Sequence, residues 1–180
     1  MFTSRTKTKM RMKSTSLDPV SVVGVAPKRP IPITVDCAEK LPLRFHHDYA
    51  TVTTAHLKTF DYAVTGDDKW AIERKTISDL VGSFVSNGAR ERRKIERARK
   101  QFDSDWPLLY VIDGMFEDLI NYDWYRCPRA TSQWFVSNLT DMSQQLGVHF
   151  QFCESRQVIM FIIYRWLKTR YKHLQGTRWS

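Results

Sequence analysis

Cysteine is scarce in this sequence, and its few cysteines follow neither a disulfide nor a metal-binding pattern. The 180 residues include three, Cys37, Cys127 and Cys153. They are odd in number and far apart, and none belongs to a Cys-x-x-Cys pair or lies near a histidine at zinc-ligand spacing. We therefore expect reduced thiols in a cytosol-like compartment.

Long hydrophobic runs are also missing. A bilayer-crossing helix needs ~20 apolar residues. The longest apolar run, residues 158–164, has only the length of a buried helix segment. No secretory signal is recognisable. We therefore expect no membrane partner for the folded part of the chain.

Acidic residues are rare at the N-terminus. Residues 1–30 contain Asp18 as their one acid against seven Lys or Arg, and they end in a proline-punctuated stretch. This predicts a flexible basic arm over residues 1–30. An organellar transit peptide is the alternative. The arm's role stays open between nucleic-acid binding, a protein partner, a membrane surface and an address label.

The rest of the chain has the composition of a globular domain. Hydrophobic residues make up 42% and aromatic residues 13% of the sequence. We expect one folded domain over residues 31–174, followed by a short tail, residues 175–180. Hydrophobic periodicity predicts strands near residues 33–37, 51–54, 58–64, 70–74, 108–114 and 148–153, and helices over residues 76–88, 89–102, 131–146 and 155–171. The first strands are expected to form a meander, and the whole order predicts an α/β fold with a mixed sheet.

Two short runs of alternating apolar and polar residues each carry a carboxylate. The first contains Asp61 and the second contains Glu73, with Lys75 two positions later. On a strand, Glu73 and Lys75 share a face. Two acids beside an amine are suited to holding a divalent cation and a reactive water. An exposed strand with an ordinary Glu–Lys pair fits the spacing equally well.

The wider pattern resembles a known nuclease motif. Asp61-Tyr62, followed by Glu73-Arg74-Lys75-x-x-x-Asp79-Leu80, resembles the signature of XPF-type structure-specific endonucleases of the PD-(D/E)xK superfamily. The resemblance extends over roughly residues 31–172, through Val35-Asp36-Cys37-Ala38-Glu39, Gly82-Ser83, Arg90-Glu91-Arg92 and the strand ending in Asp113-Gly114. Ala38 and Phe60 depart from it, since the family usually has Arg and Gly there. The sequence also shows no tandem helix-hairpin-helix module.

The resemblance implies a fold, an activity and a site. The fold is a restriction-endonuclease-like α/β core, a mixed central sheet flanked by helices. The activity is magnesium-dependent cleavage of branched or flapped DNA, with Mn²⁺ as a substitute ion. Asp61, Glu73 and Lys75 are the implied catalytic set. Asp61 and Glu73 are the implied metal ligands, with Glu39 and Asp36 as additional or water-mediated ones. Asp79 is expected to fix a helix start.

Residues 89–102 form a strongly basic predicted helix. Such a density of positive charge suits contact with phosphates. A solvated helix face is the alternative for part of the set. The expected DNA contacts are Arg90, Arg92, Arg93, Lys94 and Arg97.

Competing functions remain open on the sequence. A catalytically silent DNA-binding or scaffold protein keeps the same fold, and basic charge does not separate DNA from RNA. The resemblance also implies a homodimer through the nuclease domain, with the aromatic-rich final helix as a candidate contact. The compact construction suggests a phage or bacterial protein, cytoplasmic or nucleoid-associated, with organellar targeting as the alternative.

Overall fold

A computed structural model describes residues 29–127 and 130–176. The predicted basic arm lies outside the described residues except for Arg29 and Pro30. The strands are β1 (Ile31–Asp36), β2 (Ala50–Ala55), β3 (Tyr62–Val64), β4 (Ile72–Thr76), β5 (Leu108–Asp113) and β6 (Val148–Cys153). The helices are α1 (Ile77–Gln101), α2 (Phe116–Ile120), α3 (Ser132–Leu146) and α4 (Arg156–Leu174), with a 3₁₀ turn at Trp124–Arg126.

The six strands form one mixed sheet in the order β2-β1-β3-β4-β5-β6. Strand β3 is antiparallel to both of its neighbours, β1 and β4. The pairs β1–β2, β4–β5 and β5–β6 are parallel. The prediction of an α/β fold with a mixed sheet is therefore confirmed.

Helices pack on the sheet and bury most of β5, the strand next to the β6 edge. Helices α1 and α3 contact each other through Phe84 and Phe135, whose ring centroids are 5.5 Å apart. Helix α4 packs against β1, β3, β5 and β6. Strand β5 is buried over residues 108–112, as its continuous apolar run predicts. Within the described ranges, no helix is long and apolar enough to cross a bilayer.

The predicted meander is wrong. A meander needs consecutive antiparallel strands, whereas β2 runs parallel to β1 at the edge of the sheet. Residues 37–49 provide the crossover that a parallel pair requires. The expected strand over residues 58–64 is also shorter, because pairing begins only at Tyr62.

The helix ends agree with the local sequence signals better than the strand pairing does. Thr76 caps α1, since its Oγ1 accepts a hydrogen bond from Asp79 N at 3.1 Å and donates one to Asp79 Oδ2 at 2.8 Å. The expected role of Asp79 at this helix start is therefore confirmed. Gly147 ends α3 in a left-handed conformation, with φ 61°. The two helices predicted on either side of residue 88 are confirmed as the two segments of α1, which meet at a kink where Asn87 leaves helical geometry.

Candidate active site

Asp61 is fixed by backbone hydrogen bonds where β1, β3 and β4 converge. Its carbonyl accepts from Asp36 N at 2.8 Å, and its own N–H donates to the Ile72 carbonyl at 2.9 Å. Its side-chain Oδ2 accepts from the backbone N–H of Arg74 at 2.7 Å. The carboxylate is therefore held in place by the sheet rather than by flexible side chains.

The residue before Asp61 adopts a backbone conformation that favours glycine. Phe60 has φ 70°, a positive value that is uncommon for a bulky residue. Glycine adopts this region without strain. The Phe60 ring is buried and packs edge-on against Phe102 and Tyr110, with centroids 5.7 and 5.3 Å away. These contacts hold the unusual conformation in place.

Glu73 and Lys75 point to the same side of β4, as strand alternation requires. Lys75 Nζ lies 3.2 Å from Glu73 Oε1. The other carboxylate oxygen, Oε2, is buried and makes no hydrogen bond of acceptable geometry. The nearest cation to Oε2 is Lys94 Nζ, which lies 2.6 Å away. Glu73 is thus flanked by two ammonium groups.

Lys75 is further positioned by residues of α1. Its Nζ donates to Ser83 Oγ at 3.1 Å and lies 3.7 Å from Glu91 Oε1. Glu91 in turn accepts a 2.8 Å hydrogen bond from the buried Tyr110 hydroxyl. Burial alone lowers the pKa of Lys75, but Glu73 and Glu91 outweigh it and the net shift is upward. The lysine therefore stays protonated.

Glu91 is a site residue that the sequence analysis did not identify. It looks like one of two acids in a basic helix, but its side chain is buried. The burial of Glu91 could have been predicted from helical spacing. Glu91 follows Phe84 by seven positions and precedes Ile95 and Ala98 by four and seven, so it lies on the same face of α1. All three apolar residues face the core.

Asp61 titrates far from its usual range. Burial and the neighbouring charge of Glu73 raise its pKa to about 7, against the lowering effect of the Arg74 N–H and the Lys94 charge. Two carboxylates that share a poorly hydrated site repel each other unless a cation lies between them. A further positive charge between Asp61 and Glu73 would therefore lower the repulsion between their carboxylates.

These residues line an open groove of about 940 Å³. Asp61, Glu73, Lys75 and Glu39 all line it, and α1 contributes Arg90, Lys94 and Arg97. Glu39 Oε1 accepts from Leu41 N at 2.8 Å and lies 3.6 Å from Arg74 Nη1. Arg74 also forms a 2.6 Å ion pair with Asp113. Four of the sequence-predicted site residues thus meet in one place: Glu73 and Lys75 lie in β4, Asp61 lies directly before β3, and Glu39 lies in the loop after β1.

Three predicted site residues are not among those that line the groove. Asp36 Oδ1 accepts from Leu57 N at 2.9 Å and lies 3.6 Å from His56 Nδ1. Arg92 is exposed and pairs with Glu96 at 3.1 Å. Arg93 is exposed as well. Direct metal binding by Asp36 and DNA contacts by Arg92 and Arg93 stay predictions.

The residues of the groove fit a hard divalent cation. The available ligands are carboxylate oxygens of Asp61, Glu73 and Glu39, which is the donor type that Mg²⁺ and Mn²⁺ prefer. Glu73 Oε2 is buried and makes no hydrogen bond of acceptable geometry, although Lys94 Nζ lies 2.6 Å from it, so the Glu73 carboxylate keeps lone pairs for such an ion. We assign Asp61 and Glu73 as the residues that would hold it.

Comparisons with known proteins identify the family and the fold of the chain. A family model described as the ERCC4 domain matches residues 35–165. A putative ATP-dependent RNA helicase of Methanocaldococcus jannaschii is 32% identical over 93 residues, which is 52% of this chain and 11% of that relative's length. The structure of XPF from Aeropyrum pernix has a TM-score of 0.60 at 16% identity, and covers 82% of this chain and 68% of its own.

A second solved structure, XPF from Aeropyrum pernix in complex with DNA, has a TM-score of 0.57 at 16% identity and covers 83% of this chain and 68% of its own. Structural likeness at this identity establishes the fold. The family match runs from the end of β1 into α4 and includes the positions of Asp61, Glu73, Lys75 and Arg90. The chain therefore belongs to the ERCC4 domain family and has the fold of an XPF-type nuclease domain.

Proposed function

We propose that this chain is a divalent-metal-dependent endonuclease that hydrolyses phosphodiester bonds in branched or flapped DNA. One observation carries the proposal. An acid pair, Asp61 and Glu73, and a protonated Lys75 line one open groove, together with basic side chains of α1. The groove thus combines carboxylates for a cation with positive charge for a phosphate backbone.

The chemistry can be divided among the residues present. A bound Mg²⁺ or Mn²⁺ would supply Lewis-acid charge relief at the scissile phosphate. Lys75 keeps its proton, so its role is to orient the attacking water and stabilise developing negative charge rather than to act as a base. Arg90 and Arg97 line the same groove and are proposed to hold flanking phosphates.

The direct test is cleavage of end-labelled forked and flapped DNA by the full chain, with Mg²⁺ and with a chelator. We expect metal-dependent cleavage that Asp61→Asn lowers by roughly 100-fold or more, because a metal ion supplies several kcal/mol of charge stabilisation. Asp68→Asn is the matched control, since Asp68 is an exposed acid that does not line the groove. Equal cleavage by Asp61→Asn and wild type would refute the site.

Two other functions are outcomes of the same test. Binding of forked DNA without cleavage in any metal would identify a silent scaffold. Preferential cleavage of a structured RNA would replace the DNA substrate. Structured RNA is a relevant alternative substrate because the archaeal protein that matches part of this chain is described as a putative RNA helicase.

Homodimerisation through α4 is a separate proposal. Its aromatic residues already pack within the chain, since Tyr164 contacts Tyr49 and Trp166 contacts Trp70 with centroids 5.9 and 6.0 Å apart. Any dimer contact on α4 would therefore use its remaining surface. Light scattering on the purified chain decides between monomer and dimer.

A further inference from the structure

Lys94 lies inside the carboxylate cluster rather than on an outward DNA-binding surface. It projects from α1, and its Nζ is 2.6 Å from Glu73 Oε2. Lys75 Nζ is 3.2 Å from the other oxygen of the same carboxylate. The Lys94 side chain is about a quarter exposed, at 27%, whereas Glu73 is nearly buried, at 5%. The ammonium thus reaches inward as an ion-pair partner of a buried oxygen that makes no hydrogen bond of acceptable geometry.

Phe60 provides a second contact that holds Lys94 in this position. The Nζ atom lies 5.1 Å from the centroid of the Phe60 ring, a cation–π distance. The ring itself cannot easily turn away, because it is buried between Phe102 and Tyr110. Phe60 adopts its positive φ of 70° in the position directly before Asp61. Phe60 therefore lies directly before Asp61 in the chain and also holds Lys94, the cation that contacts Glu73.

A divalent ion and the Lys94 ammonium cannot both occupy the space next to Glu73 Oε2. The ammonium is already at contact distance, and two positive charges a few ångströms apart repel each other strongly in a poorly hydrated site. Two-metal centres require ions about 3.5–4 Å apart that share carboxylate ligands. With Lys94 at contact distance from Oε2, Glu73 can offer a metal ion only Oε1, from which Lys75 Nζ lies at the longer distance of 3.2 Å, so one ion rather than two can share this carboxylate.

We propose that Lys94 acts as a built-in cation of the metal centre, filling the second cation position beside Glu73. The centre then accepts one divalent ion per chain and holds it more weakly than the carboxylates alone would. This inference deepens the proposed nuclease function and rests on it for the presence of a metal. It assigns Lys94 a role at the metal site instead of the DNA contact expected from the charge of its helix.

The test measures metal binding without DNA, so that no turnover is involved. Calorimetric titration of Mn²⁺ and of Ca²⁺ into the full chain gives affinity and stoichiometry. Lys94→Met keeps an unbranched apolar side chain against Phe60 and removes the charge. We expect wild type to bind one ion, and Lys94→Met to bind at least roughly tenfold more tightly or to gain a second ion, because the repulsion is removed.

Two further variants control for charge and folding. Lys40→Met removes one charge from an exposed residue that lines the same groove, and is expected to stay within twofold of wild type. Lys94→Arg keeps the charge and is expected to bind one ion at near wild-type affinity. Circular dichroism melts verify that each variant is folded.

The outcomes separate this inference from the proposed function. Unchanged affinity and stoichiometry in Lys94→Met would overturn the role of Lys94 and leave the nuclease proposal intact. Two ions bound by wild type would do the same. Absence of ion binding in every variant would overturn both. Binding by Lys94→Met but not by wild type would contradict the single wild-type ion, because Lys94 would then exclude the metal altogether.

Discussion

The carboxylate of Asp61 accepts a hydrogen bond from the backbone N–H of Arg74, with 2.7 Å between Oδ2 and N. Arg74 lies between Glu73 and Lys75 in β4, so this one bond ties the first acid to the strand that carries the other two site residues. The acid pair is held close by the sheet itself, which raises the pKa of Asp61 through burial and the charge of Glu73. The close pair of carboxylates lowers the stability of the metal-free fold, and its two side chains are already positioned to bind a cation.

The first prediction is that Asp61→Asn stabilises the metal-free protein at pH 8. Burial raises the folded-state pKa of Asp61 to about 7, whereas its unfolded pKa is about 3.9. Between these values the folded chain binds the extra proton, so wild-type stability falls as pH rises through that window. Asparagine has no such titration and still accepts from the Arg74 N–H.

Thermal melts in chelator check this prediction. The melting temperature of Asp61→Asn should exceed that of wild type at pH 8, and the difference should shrink towards pH 5. A variant that is less stable at pH 8, or a difference independent of pH, would contradict the electrostatic account of the acid pair.

The second prediction concerns the support of Lys75. Glu91→Gln keeps an oxygen for the Tyr110 hydroxyl but removes the negative charge 3.7 Å from Lys75 Nζ. We expect cleavage of forked DNA to fall by about tenfold while DNA affinity is unchanged, because Lys75 loses part of its orientation. Glu96→Gln is the control, since this acid on the same helix pairs with Arg92. Similar losses in both variants would show that the effect is not specific to Lys75.

The third prediction separates groove residues from the outer face of α1. Arg90 and Arg97 line the groove, whereas Arg93 is exposed and does not line it. Arg90→Ala and Arg97→Ala should each weaken DNA binding and reduce the slope of log affinity against log salt by about 1, as loss of one phosphate contact does. Arg93→Ala should leave that slope unchanged if phosphates are held only in the groove, and a reduced slope would instead support the DNA contact that the helix charge predicts for Arg93. Fluorescence anisotropy with chelator present, over a range of salt concentrations, measures it.

The fourth prediction concerns the stability of the fold. Arg170 of α4 is fully buried, pairs with Asp67 and Asp103 at 2.6 and 2.7 Å, and lies 5.1 Å from the Trp106 ring centroid. Arg170→Met leaves the buried Asp67 without its partner and should cost about 3–5 kcal/mol. At 2–4 °C per kcal/mol, the melting temperature should fall by about 10 °C.

Arg165→Met is the matched control for this loss, because Arg165 is exposed on the same helix. It should melt within about 2 °C of wild type, since exposed substitutions rarely exceed 0.5 kcal/mol. Equal losses in the two variants would mean that the ion cluster is not what anchors α4.

The sequence predicts which side chains meet in the groove better than it predicts how the strands pair. Asp61, Glu73 and Lys75 are identifiable because period-two alternation places Glu73 and Lys75 on one face and the family motif adds Asp61. Strand β6 is predicted over its full observed range, Val148–Cys153. The parallel pairing of β1 with β2 is not predictable in this way, because alternation gives the faces of a strand but not its partner or direction.

Other features depend on contacts between residues far apart in the chain. Lys94 looks like one more basic residue of α1, and its inward position is set by the packing of Phe84 and Ile95 into the core. Asp67 looks like a turn residue, yet it binds Arg170 across 103 positions. Trp134 and Phe135 both fit the inward pattern of α3, but Trp134 is 40% exposed whereas Phe135 is buried. Tertiary packing determines the position of Lys94, the partner of Asp67 and the different burial of Trp134 and Phe135.

The most direct test of the account is the position of a bound ion. Crystals of the full chain soaked in Mn²⁺ should show one anomalous scattering peak in the groove, about 2–2.6 Å from carboxylate oxygens of Asp61 and Glu73. Lys94 should remain beside Glu73. A crystal that shows no peak there, or a peak held instead by the Asp36, Cys37 and His56 cluster, would contradict the assignment of the active site.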